Sequence, residues 1–146
     1  LRIVFFRIAA LCNGLGISPD YPVAAQTWVA FRHLLRHYVQ VFSDRHVDQL
    51  LLCSLYGVSK VMQYQPEVTF ARIIDVYCRV RERELGEGTC QRIVRQIRLQ
   101  PEDGMLDSSS TESSRTRFGN VVELYNQVYV SAMKNHLIQS RALKKA

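Results

Sequence analysis

The side chains able to do chemistry in this chain fall into a few spacings, and each implies a different kind of work. His33 and His37 are i, i+4, half of a helical zinc site, but the intervening Leu-Leu-Arg lacks the glutamate that a metalloprotease helix carries there. Without further ligands the two read as solvated or rim histidines, and His46 and His136 stand singly. Cys12, Cys53, Cys78 and Cys90 form no Cys-x-x-Cys pair and sit mostly among apolar residues in periodic segments, as small reduced core residues do. No neighbouring signature marks any of them as a nucleophile. Gly14-Leu-Gly16 follows a helical pattern, whereas phosphate-binding loops follow a strand, and Ser18-Pro19 reads as a turn starter. No catalytic residue, metal or cofactor is expected. What remains is a set of polar anchors. Tyr56 and Lys60, also i, i+4, share one helix face, while Tyr125, Asn126 and Lys134 lie on another helix. An Asn inside a helix is a poor helix former and, beside a Tyr, offers donors and acceptors to an extended peptide backbone. This is the chemistry of binding.

The elements that must position these anchors follow from apolar periodicity. A first helix over 1–15 has Val4, Ile8, Leu11, Cys12 and Leu15 as its stripe and is stopped by Gly14, Gly16 and Pro19. Pro22 opens a second helix expected to run through Phe42, burying Trp28, Phe31, Leu35, Tyr38 and Phe42. Ser43 or Asp44 is expected to cap a third, which is charged at its head, apolar on nearly every side thereafter, and ends near Tyr64, before Pro66. Such a helix belongs in the middle of a bundle. A fourth starts around Thr69 and runs through Phe70, Ile73, Ile74, Tyr77 and Val80 to Gly86 and Gly88. Residues 90–99 fit a helix or a strand. The polar, Ser-rich segment 101–117 is expected to be a disordered loop. The last helix, Phe118 to about Gln139, carries Val121, Tyr125, Val128 and Ala132 on one side and Asn126, Val130, Lys134 and Ile138 on another. A basic, frayed tail, Arg141 to Ala146, ends the chain. With strand signals almost absent, the class is all-α.

A chain of 146 residues, 47% hydrophobic, suits one domain with its own core. Its 19 Lys and Arg against 13 Asp and Glu leave a formal charge of +6, which favours an acidic peptide, nucleic acid or an anionic membrane. No apolar run approaches the ~18 residues of a membrane span, so a soluble protein is expected, and the four scattered cysteines point to a reducing compartment. Arg7 interrupts the apolar opening and no Met begins it, so that segment reads as a helix cut from a longer protein. A nucleic-acid-binding helical module, as in cyclin-box general transcription factors, is the alternative that the charge suggests. The basic residues are scattered, however, and no recognition helix is crowded with them, which disfavours direct DNA binding.

Three separated segments carry a more specific signal. Asp44-Arg-His-Val-Asp-Gln-Leu-Leu-Leu-Cys-Ser-Leu-Tyr-Gly-Val-Ser-Lys-Val61, Thr69-Phe-Ala-Arg-Ile-Ile-Asp-Val-Tyr77 and Leu124-Tyr-Asn-Gln-Val-Tyr129, in that order, closely resemble the B half of the pocket of retinoblastoma-family proteins. The likeness extends upstream to Leu11-Cys12 and omits the Ser-rich segment. It implies a cyclin-box-like five-helix bundle with extra helices, without catalysis or cofactor, in a nuclear repressor of cell-cycle transcription. It also implies a shallow groove for extended Leu-x-Cys-x-Glu peptides of chromatin-modifying and viral proteins. By position that groove is lined by Tyr56, Ser59, Lys60, Val61, Phe70, Ala71, Val122, Tyr125, Asn126, Val130, Lys134 and Ile138.

Within the resemblance, Asn126 with the phenols of Tyr56 and Tyr125 holds the peptide main chain. Val61, Val130, Ile138 and the Lys134 stem receive its Leu, Phe70 and Ser59 border its Cys, and the amides near Phe70 and Ala71 meet its Glu. Lys60, Lys134 and Arg72 form a basic rim, weakened by Ala71 where better-known animal members commonly have Lys. The resemblance further implies an A half of the same protein packed against this one, winged-helix S-phase transcription factors inserted between the halves, and an apolar surface on the first two helices that the isolated B half leaves open to association.

Overall fold

The computed structural model describes residues 2–18, 21–42, 45–64, 67–86, 88–95, 97–98 and 118–145. The expected Ser-rich loop, the two expected caps Ser43 and Asp44, and Pro19 and Pro66 lie outside them. The elements run α1 (Arg2–Gly14), α2 (Val23–His37), a 3-10 turn (Val39–Phe42), α3 (Val47–Val61), α4 (Phe70–Leu85), α5 (Thr89–Arg95), β1 (Ile97–Arg98), β2 (Phe118–Gly119), α6 (Val121–Leu124), a π-helical turn (Tyr125–Tyr129) and α7 (Val130–Lys145). Helix α3 is the centre of the all-α, cyclin-box-like bundle, packed against α2, α4, α5, α6 and α7. Leu50, Leu51, Leu52, Cys53 and Ser54 are five consecutive residues with no exposure, so this helix has no solvent face along that turn. Among the described residues no helix is long and apolar enough to cross a membrane.

The head of α3 departs from the expected capping. His46 is the N-cap: its Nδ1 accepts the Asp48 N–H at 3.0 Å, and Gln49 Oε1 accepts the His46 N–H at 2.9 Å, a reciprocal capping box. Asp48 is drawn inward and fully buried, where it meets the Arg7 guanidinium from α1, the Tyr77 hydroxyl at 2.6 Å and Arg81 Nε at 3.4 Å from α4. Because His46 Nδ1 accepts a hydrogen bond, that nitrogen carries no proton and its 3.8 Å approach to Asp48 is not an ion pair. Gln49 Nε2 donates to the Ile93 carbonyl at 2.8 Å and ties α5 to the same end. One short polar run therefore clamps four helices.

The second helix ends at His37, five residues before the expected Phe42, and a 3-10 turn follows the non-helical Tyr38. Its buried stripe is Val23, Thr27, Ala30, Phe31 and Leu34; Trp28, Leu35 and Phe42 are half-buried and Tyr38 is exposed. Small residues, Thr27 and Ala30, fill the face that larger apolar ones were expected to fill. The ambiguous segment 90–99 is helix through Arg95, and then Ile97 and Arg98 pair antiparallel with Gly119 and Phe118. That pairing moves the start of the last helix from Phe118 to Val121, where Asn120 and Glu123 form a second capping box. The backbone is helical through Lys145.

Two glycines permit close approach. A Cβ on Gly14 would meet Val76 Cγ1 at 2.6 Å, and one on Gly57 would meet Leu137 Cδ1 at 3.1 Å with the Tyr125 and Tyr129 rings at 3.4 Å. Gly57 thus lets the last helix seat directly on α3. Along that helix Val121, Tyr125, Tyr129, Met133 and Leu137 are buried at steps of four. In a continuous α-helix such steps over-rotate by ~40° each. The π turn, with more residues per turn, takes back part of that rotation and holds all five on one face.

Candidate functional site

The C-terminal half of α3, the turn after it, the start of α4 and the π turn with α7 converge on one surface. Beneath it four rings pack together: Phe70 stacks on Tyr56 at 4.0 Å, Tyr125 meets Tyr56 edge-on at 4.9 Å and Phe70 at 5.5 Å, and Tyr129 stacks on Tyr125 at 5.5 Å. The Tyr129 hydroxyl is anchored to Ser54 Oγ at 3.0 Å. Burial pushes the Tyr125 phenol up to about 12, with Tyr56 and Cys53 adding to the shift, so it remains a hydrogen-bond donor at any physiological pH. Lys60 lies with its ammonium 5.8 Å from the Tyr56 ring centroid, a cation over an aromatic face.

Two clefts open over this aromatic base and share Lys60 and Gln63. One, of about 390 Å³, is bounded mainly by aliphatic and aromatic groups: Val61, Tyr125, Val130, Lys134, Leu137 and Ile138. The other, of about 590 Å³, is more polar and is bounded by Tyr56, Ser59, Tyr64, Glu67 and Val68. Eight of the twelve residues expected at the groove line one of these two clefts: Tyr56, Ser59, Lys60, Val61, Tyr125, Val130, Lys134 and Ile138. Phe70 supports them from below. Asn126 is exposed and makes no side-chain hydrogen bond among the described residues. Ala71 is exposed at the start of α4, and Val122, 38% exposed, lines a neighbouring cleft with Ile74, Val94 and Asn120.

Gln63, Tyr64, Glu67, Val68 and Leu137 are cleft residues that the sequence reading missed. Most belong to the turn that ends α3. There the Gln63 N–H donates to the Lys60 carbonyl and the Tyr64 N–H to the Ser59 carbonyl, a Schellman stop. Its left-handed position is filled by Gln63, φ 54°, where glycine is usual. The Tyr64 hydroxyl then contacts the Ser18 amide and the Gly16 carbonyl at 3.3 and 3.4 Å, fastening the turn to the α1–α2 connection. Leu137 had a signal, standing seven residues beyond Val130 on a helical face.

The charges around the clefts are unequal in reach. Arg72 is committed, donating to the Leu15 carbonyl at 2.9 Å and the Glu67 carbonyl at 3.3 Å, so of the three expected rim cations Lys60 and Lys134 are the two that line the clefts. Thr69 caps α4 by accepting the Arg72 N–H at 3.2 Å. The amides of Phe70 and Ala71, first in the helix, have no intrahelical acceptor and face the positive end of its dipole. Elsewhere, burial pushes the thiols of Cys12 and Cys78 up to about 11 and that of Cys53 higher, which suppresses the thiolate a nucleophile needs. His33 stacks on His136 at 4.5 Å and lies 4.5 Å from His37, joining α2 to α7 and adding to the expected His33–His37 pair a histidine that the sequence reading left single.

Comparison with known proteins places this arrangement. The family model described as the retinoblastoma-associated protein B domain matches residues 1–134. The chain is 30% identical over 138 residues to retinoblastoma-related protein 1 of Zea mays, covering 94% of this chain and 14% of that protein. It is 30% identical over 139 residues to retinoblastoma-related protein 2 of Oryza sativa subsp. japonica, covering 94% and 12%. With retinoblastoma-like protein 1 of Mus musculus it shares 27% identity over 150 residues, covering 91% and 14%.

Proposed function

Because the chain belongs to the retinoblastoma-associated B-domain family, we propose that it is a single non-catalytic docking domain, the B half of a pocket in a nuclear repressor of cell-cycle transcription. The ligand is an extended Leu-x-Cys-x-Glu peptide of chromatin-modifying or viral proteins. The observation that carries this reading is the pair of clefts meeting at Lys60 and Gln63 over the Tyr56, Phe70 and Tyr125 rings, with Asn126 exposed on the π turn.

Each subsite has a physical rationale. The peptide Leu enters the aliphatic cleft between Val61, Val130, Ile138 and the Lys134 stem, where burying a Leu side chain contributes ~1.5 to 3 kcal/mol. Its main chain, unpaired in an extended ligand, bonds to Asn126 and the Tyr56 and Tyr125 phenols, which sets register. The Cys borders Phe70 and Ser59. The Glu meets the free amides of Phe70 and Ala71, and no positive side chain is required for that contact. Val122 extends the apolar border from its neighbouring cleft. Lys60 and Lys134 attract acidic residues that flank the motif and chiefly raise the association rate.

The chain spans 12 to 14% of the length of these relatives. On α1, Ile3 is 69%, Phe5 44% and Phe6 62% exposed, and Phe5 meets the Trp28 ring of α2 edge-on at 5.7 Å. This is the surface we assign to the pocket A half, with winged-helix S-phase transcription factors contacting the junction. Titration of a labelled Leu-x-Cys-x-Glu peptide into the chain and its Asn126→Ala variant tests the groove. Loss of the main-chain bonds weakens binding about five- to 150-fold, ~1 to 3 kcal/mol. Equal affinities, or no binding to the unmodified chain, refute it.

A further inference from the structure

His33 and His37 lack, in the local sequence, the further ligand that would complete a helical metal site. The bundle supplies one from α7. The His136 ring lies 4.5 Å from that of His33, the same separation as between His33 and His37. Imidazoles that share a zinc ion, each bound through nitrogen at about 2.0 to 2.1 Å, have ring centres roughly 5 Å apart, so both gaps are close to that of a ligated pair. The His33 and His136 rings stack with 24° between their planes, and among the described residues no three donors already converge on one point. Rotation about the side-chain bonds of the half-buried His33 and His136 and the exposed His37 re-aims their nitrogens without moving the backbone.

The surroundings suit a cation. His37 is the last residue of α2, whose C-terminal end carries the negative pole of the helix dipole. Arg32, beside His33 in the chain, is drawn off over the Trp28 ring, 5.7 Å from its centroid, and Arg36 is exposed to screening by solvent. Burial, and after it a neighbouring imidazole, lowers the pKa of His33 and His136, which favours the neutral form that binds metal. We infer that His33, His37 and His136 bind a zinc ion that clips the end of α2 to α7. Neutral imidazole suits zinc, copper and nickel, whereas calcium and magnesium take oxygen ligands. Three protein ligands leave the fourth position of the ion to water. None of the three histidines lines a cleft described above, so this site stands whether or not the docking reading does.

The test titrates the full chain, free of any affinity tag, with Co²⁺ and then Zn²⁺ near neutral pH, following absorption and thermal unfolding. A single Co²⁺ binds per chain with the visible bands of a tetrahedral ion on nitrogen and oxygen ligands, and Zn²⁺ displaces it. Zn²⁺ at about a hundred times its dissociation constant raises the thermal midpoint by roughly 5 to 10 °C. His33→Asn, His37→Asn and His136→Asn each weaken binding at least about tenfold, the effect of losing even an outer partner of a metal ligand. Circular dichroism identifies a variant that has lost its fold, and the remaining variants then decide. Binding that survives His136→Asn and is lost in His37→Asn belongs to the helical pair alone and overturns the clip between α2 and α7. A near-ultraviolet thiolate-to-cobalt band puts the ion on cysteine and overturns the site, as does a chain that binds neither ion.

Discussion

Asp48→Ala should destabilise the domain more than any single change in the groove. The carboxylate is fully buried and accepts from the Arg7 guanidinium and from the Tyr77 hydroxyl at 2.6 Å, with Arg81 Nε at 3.4 Å, while the side chains of Arg7 and Arg81 are only 15% and 9% exposed. Removing it takes away the carboxylate that both largely buried guanidinium groups approach and the acceptor of one phenol. Breaking a buried pair by deleting one partner costs about 3 to 5 kcal/mol, a large part of the 5 to 15 kcal/mol that holds a typical domain together. Asp48→Asn keeps the shape and a carbonyl acceptor for Tyr77 but removes the charge, so it falls below the Ala variant in cost. Urea denaturation followed by circular dichroism measures both. If Asp48→Ala lowers stability by less than about 1 kcal/mol, the carboxylate is not the tie between α1, α3 and α4 described above.

The histidine cluster makes stability fall in acid. His33 and His136 both have lowered pKa values, each chiefly because burial disfavours the charged ring, with His37 adding to the first and His33 to the second. The unfolded chain takes up these protons near the ordinary value of about 6.5, before the folded one does, so their contribution is complete above that pH and is lost as pH falls towards the lowered values. Urea midpoints from pH 7.5 to 5 should fall in the unmodified chain and fall less in His136→Asn; parallel curves would contradict the assignment. At the end of α3, Gln63→Gly relieves a left-handed residue, φ 54°, and should stabilise by roughly 0.5 to 1 kcal/mol, since relief of the strain outweighs the entropy that glycine adds to the unfolded chain. A lower thermal midpoint for that variant would show that Gln63 is held there by side-chain contacts.

What could be read from the sequence, and what could not, divides by the range of the forces involved. Apolar periodicity located the main helices, and Tyr56, Lys60, Tyr125, Asn126 and Lys134 stood out as polar anchors by type and spacing alone. The other groove positions came through family resemblance. Capping was misread because Ser43 and Asp44 are strong local N-caps, yet His46 has the position: Asp48 must reach Arg7 and Arg81, which lie on other helices. The stripe on α2 was misread because Thr27 and Ala30 carry little apolar weight but occupy close contacts. The π turn has no periodic signature over its few residues. Gln63 and Tyr64 were read only as the end of the third helix, and Glu67 and Val68 were given no role, although all four line the polar cleft.

The two ends of α3 do different work, and the first makes the second possible. A helix with one apolar face is fixed in rotation by that face, because turning it exposes the stripe to water. Around Leu50 to Ser54, α3 has no exposed face, so burial alone is nearly indifferent to rotation about its axis. Directional contacts must select the angle instead. Asp48 and Gln49 at the head accept and donate to α1, α4 and α5, and Gly57 and Ser54 admit the last helix at a single close seat. Tyr56, Ser59 and Lys60 lie two to three turns beyond Asp48, ~12 to 18 Å along the axis. A rotation permitted at the head would carry all three out of the clefts together. The residues Asp48 and Gln49 therefore line neither cleft and still set which side chains the clefts present.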